Sequence, residues 1–357
     1  MGTFERSRVV GPDILRGLAA CGVVLFHVLY LSGLEISNIP HYLVGRFDFL
    51  VRLFFAVSAF SLAYAYHGKY QGSAWIKGFY IRRFFRIAPL YYFVVFLGIA
   101  HNYLGNGQAP GVFSLGANLL FVFSLAPGLH GGMAGGAWSL GVEWLFYLAF
   151  PLMSALITSI RVAITVWAIF CGVAIFGREY FSSFMDGGLR EFGLLFFLSH
   201  VHYFVIGLIV FIIYESRANW RPSKKKWPNG VFSVCLLGLV VLYFNGASDV
   251  PEELVISFVV FGLLLLAVWG FPVWLDNEFT RYLGSISYSV YLLQFPVIQA
   301  LAELGVYRFA LNFSQNATAA FALASAVTLV VTLIVSALTF QFIEIPGQSF
   351  GRALAKK

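Results

Sequence analysis

The sequence predicts an all-α polytopic membrane protein of about ten transmembrane helices with both termini cytoplasmic. Three observations carry that prediction. The 357-residue chain is 60% hydrophobic and 11% charged, whereas a soluble domain is nearer a quarter charged. Its apolar residues fall into ten long runs, 14–33, 49–66, 87–104, 138–157, 162–177, 194–214, 231–244, 253–270, 283–302 and 318–340, many near the ~20 residues that cross hydrocarbon as a helix. The third is charge asymmetry. With the N-terminus inside, Arg16 and Arg52 lie within runs and Arg46, Arg178, Arg190 and Arg308 lie in outer loops. The remaining seventeen of the 23 Lys and Arg lie in inner loops and termini. Basic residues are retained on the cytoplasmic side, and moving the count by one span would destroy the bias. A single membrane domain over 1–357 is expected, with no nucleic-acid partner.

The first run carries Arg16 and His27. It has no clear small-residue cleavage site, so it reads as a retained span. Eleven residues at 100° each are about three turns, so both side chains leave one helix face about 16 Å apart along the axis. Ionisable groups within a span are costly and are usually functional, paired or both. Asp13, one turn before Arg16, is a partner for it at the helix start. The second run contributes Arg52, Ser58 and Ser61.

The third run is entered through FYIRRFFRIAPLYY, Phe79 to Tyr92. Arg82, Arg83 and Arg86 lie within about a turn of one another. They read either as a positive-inside anchor or as an anion site, since guanidinium groups clamp phosphates bidentately. Residues 105–137 form the longest outer loop. Its apolar middle is too short to span and reads as re-entrant or interfacial. Its Gly-rich end, His130 to Trp138, allows a backbone to approach a ligand or a helix closely.

The fourth run opens on WSLGVEWLFYLAFP. Ser139, Glu143 and Tyr147 are spaced by four and share a face. Glu143 reads as a structural partner of Arg52 or as a group orienting a catalytic His. His200 and His202 in the sixth run read as packing or headgroup contacts. Residues 215–230 form a basic inner linker suited to anionic membrane lipid. The ninth run, LGSISYSVYLLQFP, carries a polar stripe including Tyr288 and Gln294, which suits helix packing or a site. FIEIP ends the last run with Glu344 at the inner surface. Cys21, Cys171 and Cys235 sit in apolar runs with no disulfide or metal pattern.

Taken in order, these stretches resemble the acyltransferase-3 family of integral membrane O-acyltransferases over nearly the whole chain. An Arg followed by a His in the first span is met by Arg16 and His27. Arg-x-x-Arg at the inner end of the third is met by Arg83 and Arg86, and Trp-Ser-Leu-x-x-Glu by Trp138, Ser139, Leu140 and Glu143. The chain departs where the family commonly has Ser-Gly-Phe (Ser58-Ala59-Phe60), a second Glu (Trp144) and a His (Gln294). The resemblance implies an enzyme in a bacterial inner membrane. It would move an acyl group, by default acetyl, from cytoplasmic acyl-CoA, a co-substrate, to a hydroxyl of an extracytoplasmic glycan or lipid-linked saccharide.

On that reading Arg16, Arg82, Arg83 and Arg86 hold the phosphates and His27 is the general base. Glu143 stabilises the imidazolium, and Ser139, Tyr288, Gln294 or the Gly-rich backbone donates to the oxyanion. The alternatives are a polytopic transporter, or a non-catalytic relative serving as a subunit of a glycan-export system. Against a transporter, no repeated half is visible.

Overall fold

The computed structural model describes residues 9–34, 36, 38–68, 72–216, 240–241, 243, 250–269, 272–314 and 316–356. The seventh run, the basic linker and Cys235 fall almost wholly outside the described residues. Among those described there is no strand, and eight helices are long and apolar enough to cross a membrane. A sixteen-residue apolar helix, Val201–Ser216, stands beside them.

In chain order the helices are α1 (Gly11–Leu31), α2 (Asn38–Gly45), α3 (Phe49–Tyr66), α4 (Gly72–Asn106), α5 (Val112–Leu119), α6 (Ala137–Leu156) and α7 (Ile160–Phe184). There follow α8 (Gly187–Leu195), α9 (Val201–Ser216), α10 (Glu252–Trp269), α11 (Glu278–Glu303), α12 (Val306–Ser314), α13 (Ala317–Thr339) and α14 (Ile345–Leu354). Local signals place several ends. Pro12 sits in the first turn of α1, where its missing N–H has no intrahelical acceptor to serve. The side chains of Asn277 and Thr280 form a reciprocal capping box that starts α11 five residues before the expected run.

Three expected runs are reshaped. The third begins far earlier, because α4 continues through Pro89 for 35 residues and carries the arginines on one unbroken helix. The last continues past Thr339 through a π-helical turn, Phe340–Glu344, into α14. The sixth is cut short: Phe196 is extended, Phe197–Ser199 form a 3₁₀ turn, and Ser199 Oγ donates to Gly193 O at 3.0 Å. The middle of the 105–137 loop folds as α5 and a 3₁₀ turn, too short to span.

Close helix approaches position the site. α1 packs on α11, and the contact is made of glycine. A Cβ at Gly17 would stand 2.6 Å from Gly284 N, and one at Gly284 would stand 2.3 Å from Asp13 O. Without a strong hydrophobic drive between helices in lipid, such small-residue contacts set which faces meet. Gly284→Ala is therefore expected to cost about 1–3 kcal/mol through overpacking, outweighing a gain of ~1 kcal/mol in helix propensity. Thermal unfolding in detergent reads this, and an unchanged midpoint would refute the role of the contact.

The 105–137 loop is tied down by Asn118, which is buried. Its Oδ1 accepts from Tyr91 Oη at 2.6 Å and Met133 N at 2.8 Å, and its Nδ2 donates to Ser114 O at 2.8 Å. The Gly-rich end lies against a neighbouring helix: a Cβ at Gly135 would stand 2.3 Å from the Phe295 ring, and Gly136, at φ +71°, 2.6 Å from it.

Candidate functional site

α1 delivers Arg16 and His27 to different places. Arg16 turns to α11: Nε donates to Ser287 Oγ at 2.9 Å and Nη2 to Gly284 O at 3.0 Å, with Asp13 Oδ1 at 3.3 Å. The Gly17–Gly284 contact makes this reach possible. The carboxylate expected of Asp13 is in place.

Three turns on, His27 Nδ1 lies 3.0 Å from Val23 O and 3.1 Å from Gln294 Oε1. A carbonyl only accepts, so Nδ1 carries the proton and Nε2 keeps its lone pair. Gln294 is held in turn by Nε2 donating to Tyr291 O at 2.7 Å, and Phe295 packs on the imidazole at 4.4 Å between centroids. Gln294 thus fixes the orientation of the imidazole. Gln294→Leu is expected to lower turnover about tenfold, the loss of tautomer and ring control, with KM values unchanged. Gln294→Glu, which still accepts from Nδ1, should restore it.

Two cavities meet between these residues. The inner one, about 110 Å³, is lined by Arg16, Ser58, Arg83, Arg86, Ser139, Glu143, Tyr147 and Tyr288 among others. The other, about 350 Å³, is lined by His27, Asp48, Arg52, Trp138, Arg178, His200 and Glu253 among others. Val51 and Tyr291 line both. Tyr291 is fixed there by Ser139 Oγ at 2.7 Å and Gly136 O at 3.0 Å.

The arginine cluster divides. Arg83 and Arg86, three apart, face the inner cavity. The Arg83 guanidinium lies over the Tyr147 and Tyr66 rings, and its buried Nε has no hydrogen-bond partner among the described residues. Such an orphaned charged donor suits an anion. Arg82, 100° around the helix, instead donates to Tyr66 Oη at 3.1 Å and faces a hollow shared with Arg352 and Lys356.

Glu143 corrects two expectations. It accepts from Ser58 Oγ at 2.7 Å and from Tyr147 Oη. It pairs neither with Arg52 nor with His27. Arg52 binds Asp48, one turn away at the other end of α3, about 9 Å in helical rise from Ser58. The His27 partner is Gln294, because Glu143 opens on the other cavity.

The expected oxyanion donors are also committed. Tyr288 Oη donates to Ile87 O at 2.7 Å, Ser139 Oγ lies between Gly136 O and Tyr291 Oη, and Gln294 Nε2 bonds Tyr291 O. In hydrocarbon, polar groups are satisfied inside the bundle. Trp144 lines neither cavity: its ring packs with Phe84, Phe121 and Tyr147. His202 is buried beside Tyr203, as packing predicts, with centroids 3.9 Å apart.

Sequence reading placed Glu344 at the end of the last run without a partner. It is 1% exposed and turned into the bundle, with Oε2 3.6 Å from Arg86 Nη1 and Oε1 accepting from Ser289. The π turn, a device frequent at functional sites, aims it inward. The available signal was a lone carboxylate in an apolar stretch before Pro346.

The family model described as an acyltransferase domain matches residues 9–337, which takes in every residue that lines the two cavities. The chain belongs to the acyltransferase-3 family. It is also 28% identical, over 93% of its length and 89% of the relative's, to the acyltransferase MdmB of Streptomyces mycarofaciens. No solved structure matches it. This acyltransferase-3 protein is therefore a membrane enzyme transferring groups other than aminoacyl groups. Its three family motifs converge on the paired cavities: Arg83 and Arg86 line one, His27 the other, and the Trp-Ser-Leu-x-x-Glu stretch runs along both, with Trp138 in one and Glu143 in the other.

Proposed function

We propose that the enzyme transfers an acyl group, acetyl by default, from cytoplasmic acyl-CoA to a hydroxyl of an extracytoplasmic glycan or lipid-linked saccharide, with His27 as general base. The observation that carries this reading is the pair of neighbouring cavities, one beside Arg83 and one beside His27, that share Val51 and Tyr291 as lining residues. Three guanidinium groups line the inner cavity, and the buried Arg83 Nε has no partner among the described residues, which suits an anionic donor. Arg82, Arg352 and Lys356 add positive charge at the same end of the bundle. A thin pantetheine arm, with a reach of roughly 15–20 Å, would span the ~16 Å of helix between Arg16 and His27.

His27 Nε2 takes the acceptor hydroxyl proton as that oxygen bonds to the thioester carbon. Collapse of the tetrahedral centre breaks the C–S bond, and the imidazolium returns the proton to the departing thiolate. Gln294 and the Val23 carbonyl accept from Nδ1–H throughout, holding the tautomer that does this.

The test is mass spectrometry of the surface polysaccharide of cells with and without this protein. An acyl group on one sugar, lost on deletion and restored by the gene, is the expected result. Identical acylation in both would overturn the reading.

A further inference from the structure

The cavity beside His27 differs from its neighbour in charge. Asp48 is paired with Arg52, and Arg178 reaches Glu253 at 3.0 Å and Glu252 at 2.6 Å. The ionised side chains lining the cavity, Asp48, Glu253, Arg52 and Arg178, therefore cancel. Beside these ion pairs stands a polar side chain without a partner among the described residues. His200 is 4% exposed and lines the cavity, yet neither ring nitrogen has a hydrogen-bond partner among the described residues, the Leu194 carbonyl lying nearby outside bonding geometry. Its ring lies 5.3 Å from that of Trp138, which lines the same cavity.

A buried imidazole with two unused polar atoms costs free energy unless a ligand supplies partners. An aliphatic chain would supply none and would leave the ion pairs facing hydrocarbon. An anion would meet Asp48 and Glu253. A neutral polyol meets each need: its hydroxyls donate to the carboxylates, accept from the guanidinium groups, and do either with His200. The C–H face of a sugar ring suits the Trp138 indole.

We infer that this cavity is the acceptor site and that it takes a neutral sugar ring, bound by Asp48, Arg52, Arg178, His200, Glu253 and Trp138 with one hydroxyl turned to His27. The inference rests on the proposed acyl transfer and adds where the acceptor sits and what charge it carries. At about 350 Å³ the cavity lies within the range of small-molecule sites.

The experiment uses the whole protein in detergent and separates binding from transfer. Saturation-transfer NMR without donor follows the methyl glycosides of glucose, galactose, mannose and N-acetylglucosamine, and methyl glucuronide as the anionic probe. Thiol release from acetyl-CoA follows transfer. At least one neutral glycoside should bind, and the glucuronide about tenfold more weakly or not at all. His200→Phe, which keeps the ring packing, should weaken the neutral glycoside about tenfold or more and leave the KM for acetyl-CoA unchanged. Glu253→Gln leaves the cavity with an excess positive charge and should raise the glucuronide-to-neutral affinity ratio about tenfold, a gain that misfolding cannot mimic.

Failure of every neutral glycoside to bind, equal binding of the glucuronide by the wild type, or wild-type behaviour in both variants would overturn the assignment. Glycoside binding that follows these rules without any acyl transfer would instead sink the acyltransfer reading and leave the sugar site standing.

Discussion

His27→Ala is expected to lower turnover by about 10²–10⁴-fold, the usual loss when a positioned general base is removed, without changing the KM for acyl-CoA. In the proposed mechanism the donor phosphates and the imidazole occupy different cavities, so deleting the base should leave donor binding intact. The side chain is partly buried and its loss opens space rather than stranding a charge. The variant should therefore elute from size exclusion as the wild type does. Turnover in detergent with acetyl-CoA, measured as thiol release in the presence of acceptor, decides the matter. Wild-type turnover by a folded His27→Ala protein would remove His27 from the mechanism.

The second large effect is expected at Arg83. Its Nε is buried without a partner among the described residues, so it is free to meet an anion. Arg83→Gln should raise the KM for acyl-CoA about 10–100-fold, corresponding to a charge-assisted hydrogen bond of ~1.5–3 kcal/mol, with the turnover at saturation little changed. Unchanged donor affinity would make it a topology anchor.

Arg86 needs a different reading, because it faces the buried Glu344 carboxylate. Removing one partner of a buried pair costs about 3–5 kcal/mol. Loss of donor binding in Arg86→Gln would therefore be mixed with loss of stability. The Arg86→Gln/Glu344→Gln double variant separates the two: it should regain stability, leaving only the donor effect.

Part of this site is visible in one dimension. The eleven-residue separation of Arg16 and His27 puts them on one face of any α-helix, whatever surrounds it. Likewise the four-residue spacing of Ser139, Glu143 and Tyr147 survives in the structure as a hydrogen bond between the last two. What spacing could not supply was the cross-helix partner. Arg52 and His27 were both chemically reasonable mates for Glu143, yet two hydroxyls take that place. Glu344 read only as the residue ending the last run at the inner surface; its burial against Arg86 follows a π turn that spacing does not announce. The Gln294 departure read as a lost ionisable group, whereas its carbonyl oxygen accepts the one imidazole proton whose position matters.

The sequence by itself determined the all-α membrane class, most of the apolar helices and the two marked positions of α1. Each follows from local rules: the length of an apolar run, the distribution of charge between loops and the 3.6-residue repeat. Tertiary structure alone decided that the arginines divide between two hollows. It also decided that a cavity lined by three guanidinium groups and one lined by balanced ion pairs share Val51 and Tyr291, and that His27 answers to α11. The reason is physical. Helical periodicity dictates which side chains share a face, but the helix that face meets depends on where backbones can approach. Here that is set by contacts such as Gly17 against Gly284, between residues far apart in the chain.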